Sequence, residues 1–359
     1  MNSATKSNRP RVVTMIFAAG WVCACSCALS VAQEAAPTAT PATKPAAAAK
    51  LAPATMTTNS ATLQTFATPQ AAAQALVKAA GDFDVAALGR IFGPDGRDIV
   101  FSGEFPQDRK HAANFAQAAQ EKLNVSIDPN TANRAFLLVG NEDWPFPVPL
   151  VKNGEKWSFD SKAGRQELVY RRIGANELDA IQVCHGYVEA QATYAMQPRE
   201  GYDVNQYAQR IISTPGTQDG LAWQNSDGAW AGPIGEKIAQ AIQQGYDLNS
   251  EPYHGYFFKI LKGQGPAAPL GQLDFVVKNV MIGGFALVAA PAEYGVTGVQ
   301  TFIVSQDGVV YQQDFGPRTI DEFSKMELFN PDDSWTPVPD QDEDDDPSRA
   351  LAVSSGATP

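Results

Sequence analysis

The sequence has little of the chemistry that most enzymes and metal sites use. It contains three histidines and four cysteines in 359 residues, and three of the cysteines lie in an apolar N-terminal segment. It lacks the HExxH, CxxC, GxSxG and GxxxxGKS/T motifs, which excludes the usual arrangements of a zinc protease, a redox dithiol, a serine hydrolase and a phosphate-binding loop. We therefore expect no metal and no cofactor, and the missing motifs favour a non-catalytic protein.

Positive charge is also scarce. The chain has 27 Lys and Arg against 39 Asp and Glu, a net charge of −12, so we expect no nucleic-acid partner. Part of the excess lies in residues 331–359, where acidic residues and prolines predict a solvated, disordered tail. Its DQDEDDDPS run has no glycine to turn a calcium-binding loop.

The N-terminal residues have the pattern of a secretory signal peptide. Lys6, Arg9 and Arg11 precede an uncharged apolar run over residues 12–31, and Ser30 to Ala32 supply small residues for cleavage. The pattern predicts a leader over residues 1–32 and a periplasmic or secreted protein that begins at Gln33. A retained leader could instead anchor the chain, since a span needs about 20 apolar residues, or a leader cysteine could carry lipid. We expect membrane association only in those two cases.

Composition divides the rest of the chain. Residues 33–62 consist mostly of Ala, Pro and Thr, which predicts a disordered linker. We assign residues 63–163 to an N-terminal α+β domain and residues 164–330 to a long helix with a C-terminal α+β domain. The expected fold class is therefore α+β, in two units.

Local signals predict the elements of the N-terminal unit. Thr68 and Pro69 are typical of a helix start, and Gly81 of its end, with further helices over residues 85–91 and 107–122. Strands are predicted at 98–101, 125–127 and 135–139, and Asn153-Gly154 predicts a hairpin turn. This order resembles the cone-shaped nuclear-transport-factor-2-like fold, which implies a curved antiparallel sheet.

The C-terminal unit is predicted to be a helix packed on an antiparallel sheet. Apolar residues at three- and four-residue steps predict a helix over 164–195, with a break at Gly174 or Asn176. Short helices and loops are expected over 205–212 and 233–244. Strands are expected over residues 256–261, 275–277, 285–290, 299–304 and 309–314.

Four strings carry a family resemblance: NEDWPFPVPLVKNGEKWSFD, NELDAIQVC, PYHGYFFKIL and MIGGFALVAAPAEYGVTGVQTFIVSQDGVVYQQDFG. Together they resemble the bacterial family designated domain of unknown function 2950, from Phe66 to about Pro339. The resemblance implies export but no activity. The strings NELDAIQVCHGYVEAQATYA, GYFFKI and TFIVSQDGVVY also resemble the heads of type IV pilins and pseudopilins, although no apolar helical stem directly precedes the head as it does in a pilin.

Few residues are candidates for chemistry. His254 could act as a base beside Glu293 if the sheet brings them together, or it could be a hydrogen-bonded histidine at a strand mouth. Asp143 and Trp144 precede three prolines and, with Trp157, could bind a cationic or sugar ligand, although these aromatics are also typical of a core. Cys184 is expected to be a core thiol.

Three hypotheses of function follow. The first is a non-catalytic envelope protein that binds a partner protein or takes part in an assembly. The second is a small-molecule-binding module with an apolar pocket in the N-terminal cone, near Phe136, Trp144 and Trp157. The third is a hydrolase that uses Glu293 and His254.

Overall fold

The computed structural model describes residues 63–199, 203–235, 239 and 251–339. The predicted leader, the predicted linker and the tail from residue 340 onward lie outside these residues. The described chain combines helices with several antiparallel sheets, which confirms the α+β class. The finer likenesses to the nuclear-transport-factor-2 cone and to pilin heads stay predictions.

Four helices open the described chain, and two of them begin at side-chain caps. Helices α1 and α2 span Pro69–Gly81 and Val85–Phe92, and the caps Thr68 and Asp84 accept hydrogen bonds from Ala71 and Ala87. A short 3₁₀ turn then leads into α3 (Arg97–Val100), which is followed by α4 (Phe105–Glu121). The predictions for α1, α2 and α4 are therefore confirmed to within two residues.

The strand predicted over residues 98–101 is wrong, because these residues form α3 and its end. Ile99, Val100 and Phe101 favour a strand by local propensity, but they pack as partly buried side chains against the N-terminal core. The Arg165 side chain donates hydrogen bonds to the Asp95 carbonyl and the Asp98 carboxylate, which holds this turn in place. Tertiary contacts thus override the local preference.

The N-terminal sheet is antiparallel. Its strands are β1 (Leu123–Ile127), β2 (Arg134–Val139), β3 (Trp144–Pro145), β4 (Leu150–Asn153) and β5 (Lys156–Phe159). The order is β1-β2-β4-β5, and β3 pairs with β2. Gly154 has φ +60° in the predicted hairpin turn between β4 and β5, which confirms the turn.

One face of this sheet packs on the helices. Along β2, Ala135, Leu137 and Val139 are buried and join a core with α1 and α2, whereas Arg134 and Phe136 point to the other face. We call the face with Arg134 and Phe136 the outer face.

Helix α5 (Ser161–Tyr194) has 34 residues, which is about 51 Å at 1.5 Å per residue. The break predicted at Gly174 or Asn176 is wrong, since the helix is continuous there. The Asn176 amide does not cap a new helix; it donates a 2.8 Å hydrogen bond to the Thr297 carbonyl. A long-range contact therefore uses the side chain that the sequence suggested as a cap.

One three-stranded sheet and two hairpins accompany the main sheet of the C-terminal part among the described residues. Strands β6 (Arg210–Ile212), β7 (Gly220–Gln224) and β8 (Trp230–Ala231) pair in sequence, with β6 parallel to β7. The helical segment predicted over 205–212 is wrong, because Tyr207 bridges to Met281 and residues 210–212 are β6. Most of the segment 233–244 lies outside the described residues. The hairpins pair β10 (Gly263–Gln264) with β11 (Leu273–Asp274), and β12 (Val276–Val277) with β13 (Val280–Met281).

The main C-terminal sheet has the order β17-β16-β15-β14-β9. Its strands are β9 (Tyr256–Leu261), β14 (Ala286–Pro291), β15 (Thr301–Ser305), β16 (Val310–Gln313) and β17 (Thr336–Pro337). All six residues of β14 are buried, and both α5 and the short helix α6 (Thr319–Lys325) contact this strand. Because β17 pairs with β16, regular structure extends into the segment that the sequence assigned to a disordered tail.

Candidate functional site

An open groove of about 290 Å³ lies between the outer face of the N-terminal sheet and the first turns of α5. The sheet side is lined by Arg134, Phe136, Pro145, Phe146, Pro147 and Pro149. The helix side is lined by Ala163, Gln166, Glu167, Tyr170 and Arg171. The groove therefore combines aromatic and proline rings with two arginines and one carboxylate.

The strand alternation of β2 builds the floor of the groove. Arg134 and Phe136 are two residues apart and so share the outer face, and the Arg134 guanidinium carbon lies 5.1 Å from the centre of the Phe136 ring. Their neighbours Ala135 and Leu137 are fully buried on the opposite face. The strand alternation that buries Ala135 and Leu137 in the core therefore also places Arg134 and Phe136 in the groove.

The proline-rich string builds one wall. Phe146 donates a backbone hydrogen bond to the Leu137 carbonyl at 2.8 Å, whereas its proline neighbours have no N–H to add to the ladder. Phe146 also packs against the rings of Phe92, Phe115 and Phe159, with centroid distances of 5.2 to 6.3 Å. This wall is therefore anchored to the core by an aromatic side chain.

The first turns of α5 build the opposite wall. Asp160 caps the helix by accepting a hydrogen bond from Ala163, and the Ser161 hydroxyl donates to the Phe92 carbonyl at 2.7 Å. Residues 163, 166, 167, 170 and 171 follow helical three- and four-residue steps and so share one face. On this face the Tyr170 ring is 61% exposed, although it borders an apolar groove.

The two arginines of the groove differ in their partners. Arg171 donates to the Glu167 carboxylate at 2.8 Å and lies over the Trp144 ring at 4.8 Å. Arg134 carries a buried Nε–H for which no acceptor exists among the described residues. The charge of Arg134 acts electrostatically on the Asp128 carboxylate, but the two groups form no ion pair within 4 Å. The buried Nε–H is closed to a ligand, but the Arg134 guanidinium lines the groove without a carboxylate within 4 Å, so its charge is open to an anionic ligand.

The three predicted ligand-binding residues lie in different environments. The Asp143 carboxylate accepts hydrogen bonds from Lys122 at 2.6 Å and Asn124 at 3.2 Å, and the Lys122 hydrogen bond lowers the pKa of Asp143. Trp144 is 48% exposed and holds Arg171 on its ring, whereas Trp157 is 6% exposed within the core. Lys122 and Arg171 of the chain itself are therefore the cations that contact Asp143 and Trp144. Of the aromatics predicted to border a pocket, Phe136 lines the groove.

The predicted catalytic pair is placed differently. His254 is hydrogen-bonded through Nδ1 to the Asp179 carboxylate of α5, and its ring centroid lies 4.2 Å from that of Tyr253. Glu293 is exposed, and among the described residues no hydrogen bond or ion pair joins its side chain to His254. Their loops are nevertheless adjacent, since Ala292 donates to the Gly255 carbonyl at 2.9 Å.

Sequence reasoning missed the middle of α5 as the partner of these loops. The Glu177 carboxylate accepts hydrogen bonds from the backbone of Val299 at 2.9 Å and Gln300 at 3.0 Å. Asn176 and Asp179 contact the same region through Thr297 and His254. No local signal could have revealed these pairs, because more than 70 residues separate each pair in the chain.

Cys184 is fully buried in the C-terminal core, and burial raises the pKa of its thiol to about 12. A thiolate is the reactive form of cysteine, so this environment suits a core side chain and not a nucleophile. Among the described residues, no group of His, Cys, Asp and Glu side chains could hold a metal ion.

A second depression of about 280 Å³ lies beside α6. Its charged lining includes Glu322 and Lys325, whose side chains already pair with each other at 3.9 Å. Phe315 and Trp335, which also line it, pack edge to face at a centroid distance of 5.6 Å. These groups are therefore satisfied within the chain, unlike Arg134 in the first groove.

A family model for a protein of unknown function, designated DUF2950, matches residues 63–338. The chain belongs to this family. The match begins at the first residue that the structure describes and covers both cores and the groove, so the groove is part of the DUF2950 region itself. Neither the curated proteins nor the solved structures contain a significant match.

The described helices contain no segment with the length and apolar character needed to cross a bilayer. The predicted leader lies outside the residues to which this finding applies. Membership of DUF2950 brings no known activity with it.

Proposed function

We propose that this protein is an exported, non-catalytic binding module that holds a ligand in the groove between its N-terminal sheet and α5. The observation that carries the proposal is the groove itself, where aromatic and proline rings lie beside the Arg134 guanidinium, which has no carboxylate within 4 Å. Such concave, mainly apolar surfaces with a few polar groups are typical of ligand sites. The leader pattern of residues 1–32 supports export to the periplasm or the medium.

The walls of the groove support binding because they are held in place without a ligand. The α5 wall is fixed by the Asp160 cap and by the bond from Ser161 to the Phe92 carbonyl. The proline wall is fixed by Phe146, whose ring packs on the core. A preformed site loses little conformational entropy on binding, which favours affinity.

A panel of small apolar and amphiphilic molecules tests the proposal by thermal stabilisation of the mature protein. Ligands that bind the folded state raise its melting temperature. Replacement Tyr170→Ala should weaken binding of every stabilising compound, because this exposed ring borders the groove. Phe105→Ala is the matched control, since Phe105 is also 61% exposed but does not line the groove.

A panel without any stabilising compound would contradict the proposal. Equal losses in the Tyr170→Ala and Phe105→Ala proteins would also contradict it, because the stabilising molecules would then bind elsewhere.

A hydrolase stays a second candidate because of one observation. Asp179 orients the His254 ring through Nδ1, which is how a carboxylate prepares a histidine to act as a base through Nε2. Glu293 lies on the adjacent loop. If a hydrolytic activity is found, a Glu293→Gln protein that keeps all of it would eliminate the assigned role of Glu293, and a fully active His254→Gln protein would eliminate the candidate.

A further inference from the structure

We propose that the groove binds a small monocarboxylate with an apolar body, and that Arg134 holds the carboxylate. This inference deepens the proposed function and rests on it. It follows from three properties of the groove: the unpaired donor, the balance of charge around it and the volume available.

The donor is the side chain of Arg134. Its Nε–H is buried and has no acceptor among the described residues, and its guanidinium lies over the Phe136 ring at 5.1 Å. A guanidinium presents its N–H groups as a planar fork that matches the two oxygens of a carboxylate. An anion that enters the groove would therefore meet a guanidinium that lines it and has no carboxylate within 4 Å.

The charge balance favours a single negative charge. Arg171 also lines the groove, but the Glu167 carboxylate at 2.8 Å offsets its charge, which leaves Arg134 as the cation without a close carboxylate on this lining. A dianion such as a phosphate monoester would carry one charge without a partner and would lie near Glu167. A monocarboxylate matches the one available cation.

The volume and lining set the size and character of the remainder of the ligand. At about 290 Å³ the groove lies at the lower end of the volumes of about 300–1,000 Å³ that are typical of small-molecule sites, which favours a small ligand. Phe136, Tyr170 and Pro147 offer flat apolar surfaces, on which an aromatic ring can stack. An arylalkanoate such as 3-phenylpropanoate has this size, this charge and this shape.

The test compares 3-phenylpropanoate with its neutral amide, 3-phenylpropanamide, by calorimetric titration of the mature protein. The acid should bind on the order of tenfold more tightly, because only the acid forms charge-assisted hydrogen bonds with Arg134. Arg134→Leu should remove this preference, so that the acid binds no better than the amide. Arg109→Leu is the control, since Arg109 is an exposed arginine outside the groove lining and should leave the preference unchanged.

Equal binding of the acid and the amide to the unaltered protein would overturn the inference and leave the proposed binding function intact. Failure of both probes, together with a panel without any stabilising compound, would overturn both. The comparison of acid and amide needs no variant, so it tests the role of the carboxylate even if Arg134→Leu does not fold.

A tripeptide that ends in phenylalanine with a free carboxylate is the last probe in this test. Tighter binding of this peptide than of 3-phenylpropanoate would overturn the assignment to a small molecule in favour of a peptide C-terminus.

Discussion

The role of a single residue in this protein depends mainly on its local environment. Cys184 and Arg134 illustrate the two extremes, since burial raises the pKa of the thiol and removes its reactivity, whereas the Arg134 guanidinium lines the groove, has no carboxylate within 4 Å and is available to a ligand. Residue type alone would have ranked the cysteine as the more reactive of the two. The local environment reverses that order.

The ion pair between Asp98 and Arg165 predicts a measurable pH dependence at this scale. The Arg165 hydrogen bond holds the pKa of Asp98 below its ordinary value of 3.8, so the pair stabilises the fold above that value. The contribution begins to decrease as the pH falls below about 3.8, and it disappears as the pH falls through the lowered pKa. Because both side chains are about half exposed, solvent screening keeps the effect of the pair on stability small.

Asp98→Asn should therefore lower the free energy of unfolding at pH 6, and the difference from the unaltered protein should shrink as the pH approaches 3. Urea denaturation along this pH series measures it. Asp333→Asn is the matched control, because Asp333 is exposed and its carboxylate has no hydrogen bond or ion pair among the described residues. A deficit of the Asp98→Asn protein that stays constant down to pH 3 would exclude this account.

At the scale of elements, the helix α5 has the largest role, since it contributes one wall of the groove and also contacts the C-terminal sheet. Its start is defined by local contacts, and its middle by the loops that Asn176 and Glu177 bind. The position of its first turn relative to the proline wall sets the width of the groove. That position depends on close approach at Gly164.

Gly164→Ala is predicted to destabilise the protein. A Cβ at this position would lie 2.6 Å from a Val148 methyl carbon, and Val148 is fully buried and branched at Cβ, so it has little room to move. We expect a loss of about 1–3 kcal/mol in the free energy of unfolding, measured by urea denaturation.

Gly174→Ala provides the control in the same helix, because a methyl group added at Gly174 would have no neighbouring atom within 4 Å and alanine is the better helix former. This change should stabilise the protein by about 0.5–1 kcal/mol. Opposite signs for the two changes would support the close contact at Gly164. If Gly164→Ala left the free energy of unfolding unchanged or raised it, the proline wall would be free to adjust to the added methyl group.

The whole molecule is proposed to be an exported body on a linker, and this proposal can be tested without knowledge of the ligand. After expression in a Gram-negative host, we expect a soluble periplasmic product that begins at Gln33, because the basic, apolar and small-residue regions follow the order of a cleaved leader. Intact mass and cell fractionation measure both properties. Loss of the leader removes three positive charges, so the net charge of −12 becomes −15.

A membrane-bound product that retains the leader, or that carries lipid on a leader cysteine, would contradict cleavage at Ala32. The linker would then act as a stalk, and the body would be displayed from the membrane. Replacement of Lys6, Arg9 and Arg11 by Gln is the control for export itself, since the loss of the positive region should reduce the periplasmic fraction.

The sequence alone determined much of the local structure. Thr68, Pro69 and Gly81 predicted α1, and Asn153-Gly154 predicted the hairpin of β4 and β5, because caps and tight turns depend on contacts within a few residues. The four family strings likewise identified DUF2950, since they are read directly from the chain. The α+β class followed from the order of these elements.

Only the tertiary structure decided the features that join distant residues. The α3 turn replaced a predicted strand because it packs against the core and is held by Arg165, and α5 continued past Asn176 because the Thr297 carbonyl binds the Asn176 amide there. The groove has the same origin, since Arg134 and Tyr170 lie 36 positions apart and meet only when the sheet and α5 have packed. Local propensity carries no information about such pairs, because their energy arises from burial and hydrogen bonds that exist only in the folded chain.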